Sequence, residues 1–347
     1  MPRIYGWLPT TRPATPTRSR ASNPTGTMVP RLLLSIAVFA FLSLEGCFHN
    51  GPQHAFVDSV PPSAAHTTKV LAVYEPWFGH PQHIDVGYSS QDPVTIKKQI
   101  EQAKRESISG FVVDWYGDRE PFIDKSYALI QSIAAETNFN VAMMYDETDQ
   151  DTAEATDDAL TAFDDFREKY LGSGARGSKA YLTYQGRPVI FIFPKGRQTD
   201  WNRVRAEINK WNPSPLLIYE YGSSPYASAF DGFYAWINPG KKGWSADGAN
   251  WGEDYLQDFY QTMRTKYPDK IAIGAAWPGF DDRNASWGLK RYISRRCGAT
   301  LKDTMSIASE NPEPFLVIAT WNDYEEGTAI ERAAKCDSAE RASTASK

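Results

Sequence analysis

The chain has 347 residues, 41% of them hydrophobic, enough for one large domain or two small ones with a sizeable core. Its formal net charge is −5, yet residues 1–46 hold five Arg and one Glu, a net of +4, which leaves −9 for the remainder. An acidic body argues against a phosphate-backbone partner, so no nucleic acid is expected; three scattered Cys and five His show neither CxxC nor HExxH spacing, so no metal or cofactor is expected.

Residues 1–27 are rich in Pro, Thr, Arg and Ser and read as disordered, or as lying upstream of a start at Met28. Residues 28–47 combine a basic flank at Arg31, an apolar run of 13 residues over Leu32–Leu44, and a small residue before a cleavage point. That run is shorter than the ~20 residues of a membrane-spanning helix and fits a signal peptide instead. Leu44-Glu45-Gly46-Cys47 also resembles a bacterial lipobox, with Cys47 as the lipid anchor. The expectation is an exported protein, periplasmic, extracellular or membrane-anchored as a lipoprotein, with residues 48–68 as a tether. Cys297 and Cys336 are free to pair in an oxidising compartment, and two unpaired buried thiols fit equally well.

From residue 70 onward, short apolar runs alternate with helical stretches, which predicts a parallel sheet with crossover helices. The runs are Val70–Glu75, Gly110–Trp115, Asn140–Tyr145, Pro188–Phe193, Leu216–Tyr221, Gly232–Ile237, Ile271–Trp277 and Phe315–Trp321. They read as near-continuous hydrophobics, as in strands covered on both faces. Asp92-Pro93 sets a cap before Pro at a first helical position, and Ile96, Ile100 and Ala103 follow at helical spacing. Thr152–Tyr170, Asp200–Trp211 and Glu253–Tyr267 read similarly. Tyr181–Tyr184 and Pro188–Phe193 form a hairpin feeding the fourth strand, and the link between the fifth and sixth strands leaves room for only a reduced helix. Eight strands in this order predict an α/β fold, a single (β/α)8 TIM barrel over residues 69–332, with a polar tail over 333–347. Few residues follow Glu331, so a full eighth helix is not expected.

Barrel active sites lie at the C-terminal ends of the strands. Those ends hold Tyr74, Glu75 and Trp77; Asp114, Trp115 and Tyr116; Tyr145 and Asp146; Glu220; Trp236; Trp277 with Asp281; and Trp321, Asn322, Asp323 and Glu326. A lone Asp after a strand is ordinarily a helix cap, and a lone Trp is often core. Recurrence of acids and aromatics at six strand ends instead suggests a sugar-binding cleft, where flat rings meet the apolar faces of sugars. The 11 Trp, 18 Tyr and 17 Phe of the chain agree with either core packing or such a cleft. Glycoside hydrolysis needs two carboxyl groups with different protonation states. Asp323 and Glu326, three apart, project to one side of a helical turn, whereas Glu325 points elsewhere, to solvent or an Arg.

Tyr74-Glu75-Pro76-Trp77-Phe78-Gly79 resembles the YYPWYG segment of glycoside hydrolase family 99 and its family 71-like relatives. Gly110–Gly117 resembles their second strand, Pro278–Asp282 their seventh-strand loop, and WNDYEEGTAIE at 321–331 is similar to their NEWHEGTQIE. The resemblance spans roughly residues 70–331. It implies a (β/α)8 endo-α-mannosidase that retains anomeric configuration without a metal. One carboxylate deprotonates the sugar 2-hydroxyl, which attacks its own anomeric carbon; a second protonates the leaving group and then activates water. By position, Asp323 corresponds to the base and Glu326 to the general acid/base, with the other rim residues binding an α-linked oligo- or polysaccharide. This chain departs from the family pattern at Asp323, where the family has Glu, at Glu325, where it has His, and at Glu75, where it has Tyr. The substrate is therefore open to other α-glycans. Two further readings stand beside the enzyme: a non-catalytic carbohydrate-binding surface lipoprotein on a degenerate barrel, and a structural envelope protein. Sugar identity, linkage and oligomeric state are not legible in the sequence.

Overall fold

A computed structural model describes residues 67–331 except 149, 223 and 224. The signal, lipobox and tail segments, Cys47 and Cys336 lie outside the described residues. Cys297 is disulfide-bonded. Among the described residues, no helix is long and apolar enough to cross a membrane.

Eight strands close a parallel barrel: β1 Lys69–Tyr74, β2 Gly110–Trp115, β3 Asn140–Asp146, β4 Arg187–Phe193, β5 Leu216–Glu220, β6 Gly232–Tyr234, β7 Ile271–Ala276 and β8 Phe315–Ile318. Each pairs in parallel with its sequence neighbours, and β1 pairs with β8 from Lys69↔Phe315 to Ala72↔Ile318 to close the ring. All eight expected strands form, most within one residue of the expected ends. The exceptions are β6 and β8, which end three residues early because their last residues turn toward the loops.

Side chains alternate across each strand. Leu71, Val73, Val112, Ala142, Met144, Val189, Phe191 and Ile218 fill the barrel interior, while Ala72, Tyr74, Phe111, Val113, Trp115 and Tyr145 pack outward against the helices. Those helices are α1 Pro93–Arg105, α2 Pro121–Thr137, α3 Thr152–Phe166, α4 Trp201–Ile208, α5 Glu253–Lys266 and α6 Ala299–Glu310. Asp92 caps α1 by accepting from the backbone N–H groups of Val94 and Thr95, with Pro93 at the start. Asp151 and Asp200 cap α3 and α4 the same way. A short strand, Thr183–Tyr184, folds back antiparallel onto β4. Among the described residues between β5 and β6, the one helical segment is the three-residue turn Ala227–Ala229. A second hairpin, Phe280–Asp281 against Tyr292–Ile293, follows β7 and had no signal in the sequence.

Candidate active site

Because alternate residues face inward, strand interiors deliver their acids to the C-terminal mouth in register. Val73 is followed inward by Glu75, Val112 by Asp114 and Tyr116, Met144 by Asp146, and Ile218 by Glu220. With Asp323 and Glu326 after β8, these carboxyls line a cavity of 860 Å³. Trp77, Trp236, Trp244 and Trp287 also line it and supply aromatic walls.

Asp323 leaves β8 in a tight turn. Its Oδ1 accepts from the backbone N–H groups of Glu325 at 2.9 Å and Glu326 at 2.8 Å. It therefore caps the turn that presents Glu326, so the ordinary cap role and the site location coincide in one residue. Glu326 accepts from Trp287 Nε1 at 3.1 Å, and its carbonyl accepts from the backbone N–H of Asp281 at 2.7 Å. Burial raises the Glu326 pKa, opposed by the Trp287 bond and the Arg291 charge. Burial raises Asp323 well above the ordinary carboxylate range, aided by the Glu326 charge.

Asn322 is buried and clamps the end of β1. Its Oδ1 accepts from Glu75 N–H at 2.7 Å, and its Nδ2 donates to the Glu75 carbonyl at 2.9 Å. Glu75 thereby sits beside the strand-8 turn, its carboxyl raised well above its usual range by burial and then by the charges of Asp114, Asp323 and Glu326. Burial, then the neighbouring Asp146, pushes Asp114 up to about 8. Burial also raises Asp146, but Lys195 offsets part of this through an ion pair at 2.6 Å. Burial works against the Lys195 charge, and the Asp146 charge and bond outweigh it, so its pKa rises. The Lys195 ammonium lies 4.8 Å over the Tyr116 ring. Burial pushes Glu220 up to about 7 against the opposing charge of Arg197. Among the described residues, no group of three His, Cys, Asp or Glu is arranged to hold a metal ion.

The expected site residues thus divide. Glu75, Trp77, Asp114, Tyr116, Asp146, Glu220, Trp236, Asp323 and Glu326 line the cavity. Tyr74, Trp115, Tyr145, Trp277 and Trp321 do not, since they occupy outward positions. Tyr74 donates to Gln99, Trp115 Nε1 to Asp124 and Trp277 Nε1 to the Trp251 carbonyl. Tyr145 packs on Phe163, and Trp321 on Phe111. Asn322 is a clamp, and Asp281 is paired with Arg283 on the outer hairpin. Glu325 meets neither solvent nor Arg: its side chain is only 7% exposed, and its Oε2 bonds His83 Nδ1 at 2.7 Å. Glu331, the last residue of the strand-8 motif, lies away from the cavity. It accepts from Gln99, Tyr88 and Tyr324.

Several cavity residues went unassigned in the sequence. Lys195 continues the inward series Val189, Phe191, Phe193, so extending that alternation finds it. His83, near the first motif, stacks on Trp77 with centroids 4.7 Å apart and planes 5° from parallel. Trp244 and Trp287 come from irregular loops that carry no periodic signal.

No protein-family model matches the chain. No curated protein matches it in sequence. Solved structures do match in fold. A glycoside hydrolase family 99 endo-α-mannosidase from Bacteroides thetaiotaomicron, in complex with BIS-TRIS-propane, matches with TM-score 0.61 at 20% identity, over 78% of this chain and 90% of that one. A glycoside hydrolase-like protein matches with TM-score 0.56 at 13% identity, over 82% and 92%. An active-site mutant of a Rhizomucor miehei β-1,3-glucanosyltransferase, in complex with laminaritriose, matches with TM-score 0.50 at 10% identity, over 78% and 94%. The chain therefore has a family 99-like TIM-barrel fold, and at these identities the likeness is one of fold.

Proposed function

We propose that the protein is a retaining, endo-acting α-glycoside hydrolase with Glu326 as general acid/base. The observation that carries this reading is the strand-8 turn: Asp323 and Glu326 face one aromatic-walled cavity, and burial favours a proton on each. A raised carboxyl is what a general acid needs near neutral pH. Glu326 donates its proton to the leaving oxygen and then takes one from water. Asp323, three residues before it, supplies the base for the sugar 2-hydroxyl, which closes on the anomeric carbon. The sequence motifs at 74–79 and 321–331 support the α-linked, endo-acting form, and the apolar run at 32–44 supports action outside the cytoplasm.

The test is incubation of the chain with α-mannans and α-glucans, reading released oligosaccharides by mass spectrometry. Glu326→Gln is expected to abolish turnover while glycan binding persists. Undiminished hydrolysis by that variant would remove Glu326 from the mechanism. Binding without product in the wild type as well would favour a non-catalytic carbohydrate-binding protein.

A further inference from the structure

Among the described residues, the large hydrophobic side chains left exposed are Ile84, Val94, Leu289 and Trp244. Of these, Trp244 alone lines the cavity, and it is 39% exposed. Its neighbours fix which side of the indole is bare. The Phe280 ring lies 5.4 Å from the Trp244 ring, and the Arg291 guanidinium lies 5.4 Å over Trp244 and 4.9 Å over Phe280. Groups on opposite faces of one ring stand about twice as far apart as either stands from it. Phe280 and Arg291 are closer to each other than to Trp244, so both back the same side and leave the other open. The backing is held in place by Asp282, fully buried, which accepts from Arg291 N–H at 2.6 Å and from Arg291 Nε at 2.7 Å. Beside Trp244, the Gly243 carbonyl accepts from Asn250 Nδ2 at 2.7 Å. A flat indole braced behind and open in front meets the apolar face of a pyranose with little ordering cost.

We propose that Trp244 is the stacking platform for a pyranose of the leaving glycan, and so makes cleavage depend on the chain beyond the scissile bond. The proposal rests on the glycosidase reading above. The hairpin that braces Trp244 is joined to the general acid. Asp281 N–H donates to the Glu326 carbonyl at 2.7 Å, and Trp287, between the hairpin strands, donates to Glu326 Oε1 at 3.1 Å. A general acid stands beside the leaving oxygen, so the wall built on that hairpin borders the departing sugars. Asp114 and Asp146 line the cavity from β2 and β3, across the ring from β6 and β7, and border the retained sugars.

Stacking reads the shape of a sugar ring rather than any one hydroxyl. It acts at a distance from the reacting carbon and holds substrate and transition state alike, so its signature falls on KM and on chain length. A merely structural Trp244 would behave differently. It packs on the hairpin that carries Trp287, so its loss would disturb Glu326 and lower kcat on every substrate.

The test compares W244A and W244F with the wild type in the full chain on two substrates. One is the glycan cleaved by the wild type; the other is the α-glycosyl fluoride of the same retained chain, whose leaving group puts no ring on Trp244. On the glycan, W244A is expected to raise KM about 10-fold with kcat within about threefold, and W244F, which keeps a flat ring, to recover most of that loss. On the fluoride the W244A loss in kcat/KM is expected to shrink to about twofold or less. In an E326Q background, calorimetric titration is expected to show W244A weakening glycan binding about 10-fold. An unchanged glycan KM in W244A, an equal loss on glycan and fluoride, or a loss confined to kcat would overturn the assignment. Should W244A fail to melt cooperatively, W244L decides: it keeps apolar cover over Phe280 without a flat face, and a wild-type glycan KM would overturn the proposal. An active wild type with a dead E326Q and a W244A that loses equally on both substrates would sink this inference alone. An inert wild type would take the glycosidase reading with it.

Discussion

Glu220 shows at a single residue how the cavity trades stability for chemistry. Burial pushes its carboxyl from 4.5 up to about 7. A carboxyl with a raised folded-state value binds its proton more tightly when folded. Its contribution is therefore fully present below the ordinary carboxylate range and is lost as pH climbs through about 7. Allowing for its partial exposure, the loss is about 2 kcal/mol. Asp114, pushed from 3.8 up to about 8, acts in the same direction over a wider window. Urea melts are expected to show the wild type more stable at about pH 4.5 than at about pH 8, and Glu220→Gln should flatten that difference by raising stability at the higher pH. An unchanged slope in the variant would remove Glu220 as a source. Such destabilising acids are what a site needing proton-bearing carboxyls requires.

At the scale of elements, the barrel depends on close backbone approach where its strands are shortest. β6 has only three residues, Gly232–Tyr234, between β5 and β7. A Cβ on Gly232 would stand 2.3 Å from the Ile271 carbonyl oxygen and 2.8 Å from Ile271 Cβ. The first of these is backbone and cannot swing aside, so Gly232→Ala is expected to force β6 from β7 and cost ~1–3 kcal/mol. A denaturant midpoint equal to wild type would show that the pair can spread without penalty. Elements were legible where local chemistry is strong. Asp92-Pro93 marked the start of α1, and the apolar runs marked all eight strands. The loop hairpin at Phe280–Ile293 was not legible, because its two-residue strands are fixed by neighbours distant in the chain.

For the whole molecule, closure of the ring and assembly of the site are one event. Pairing of β1 with β8 brings residue 75 to residue 322, and Asn322 bonds both backbone polar groups of Glu75. Asn322→Ala would leave a buried N–H and a buried carbonyl unpaired, a cost of about 2–4 kcal/mol. Calorimetry is expected to show a lower Tm, and turnover should fall even at temperatures where the variant is folded, because Glu75 loses its anchor. Full activity in the folded variant would mean that the Glu75 carboxyl is positioned without the clamp. Gln99, Tyr88 and Tyr324 converge on Glu331 behind the same seam. The strand-8 motif thus serves the site at Asp323 and Glu326 and the scaffold at Glu331.

The order of eight apolar runs, their alternation with helices and the acids at their ends were set by the sequence alone, because period and burial are local properties of the chain. Which rim residues face the cavity was decided by tertiary structure. A shift of one residue along a strand turns a side chain from interior to helix layer, and so Trp115, Tyr145, Trp277 and Trp321 became core while Asp114 and Asp146 became lining. The pairing of Glu325 with His83, the salt bridge of Lys195 with Asp146 and the indole bond from Trp287 to Glu326 join residues 242, 49 and 39 positions apart. No local pattern encodes such contacts; they exist once the ring closes and the loops meet above it.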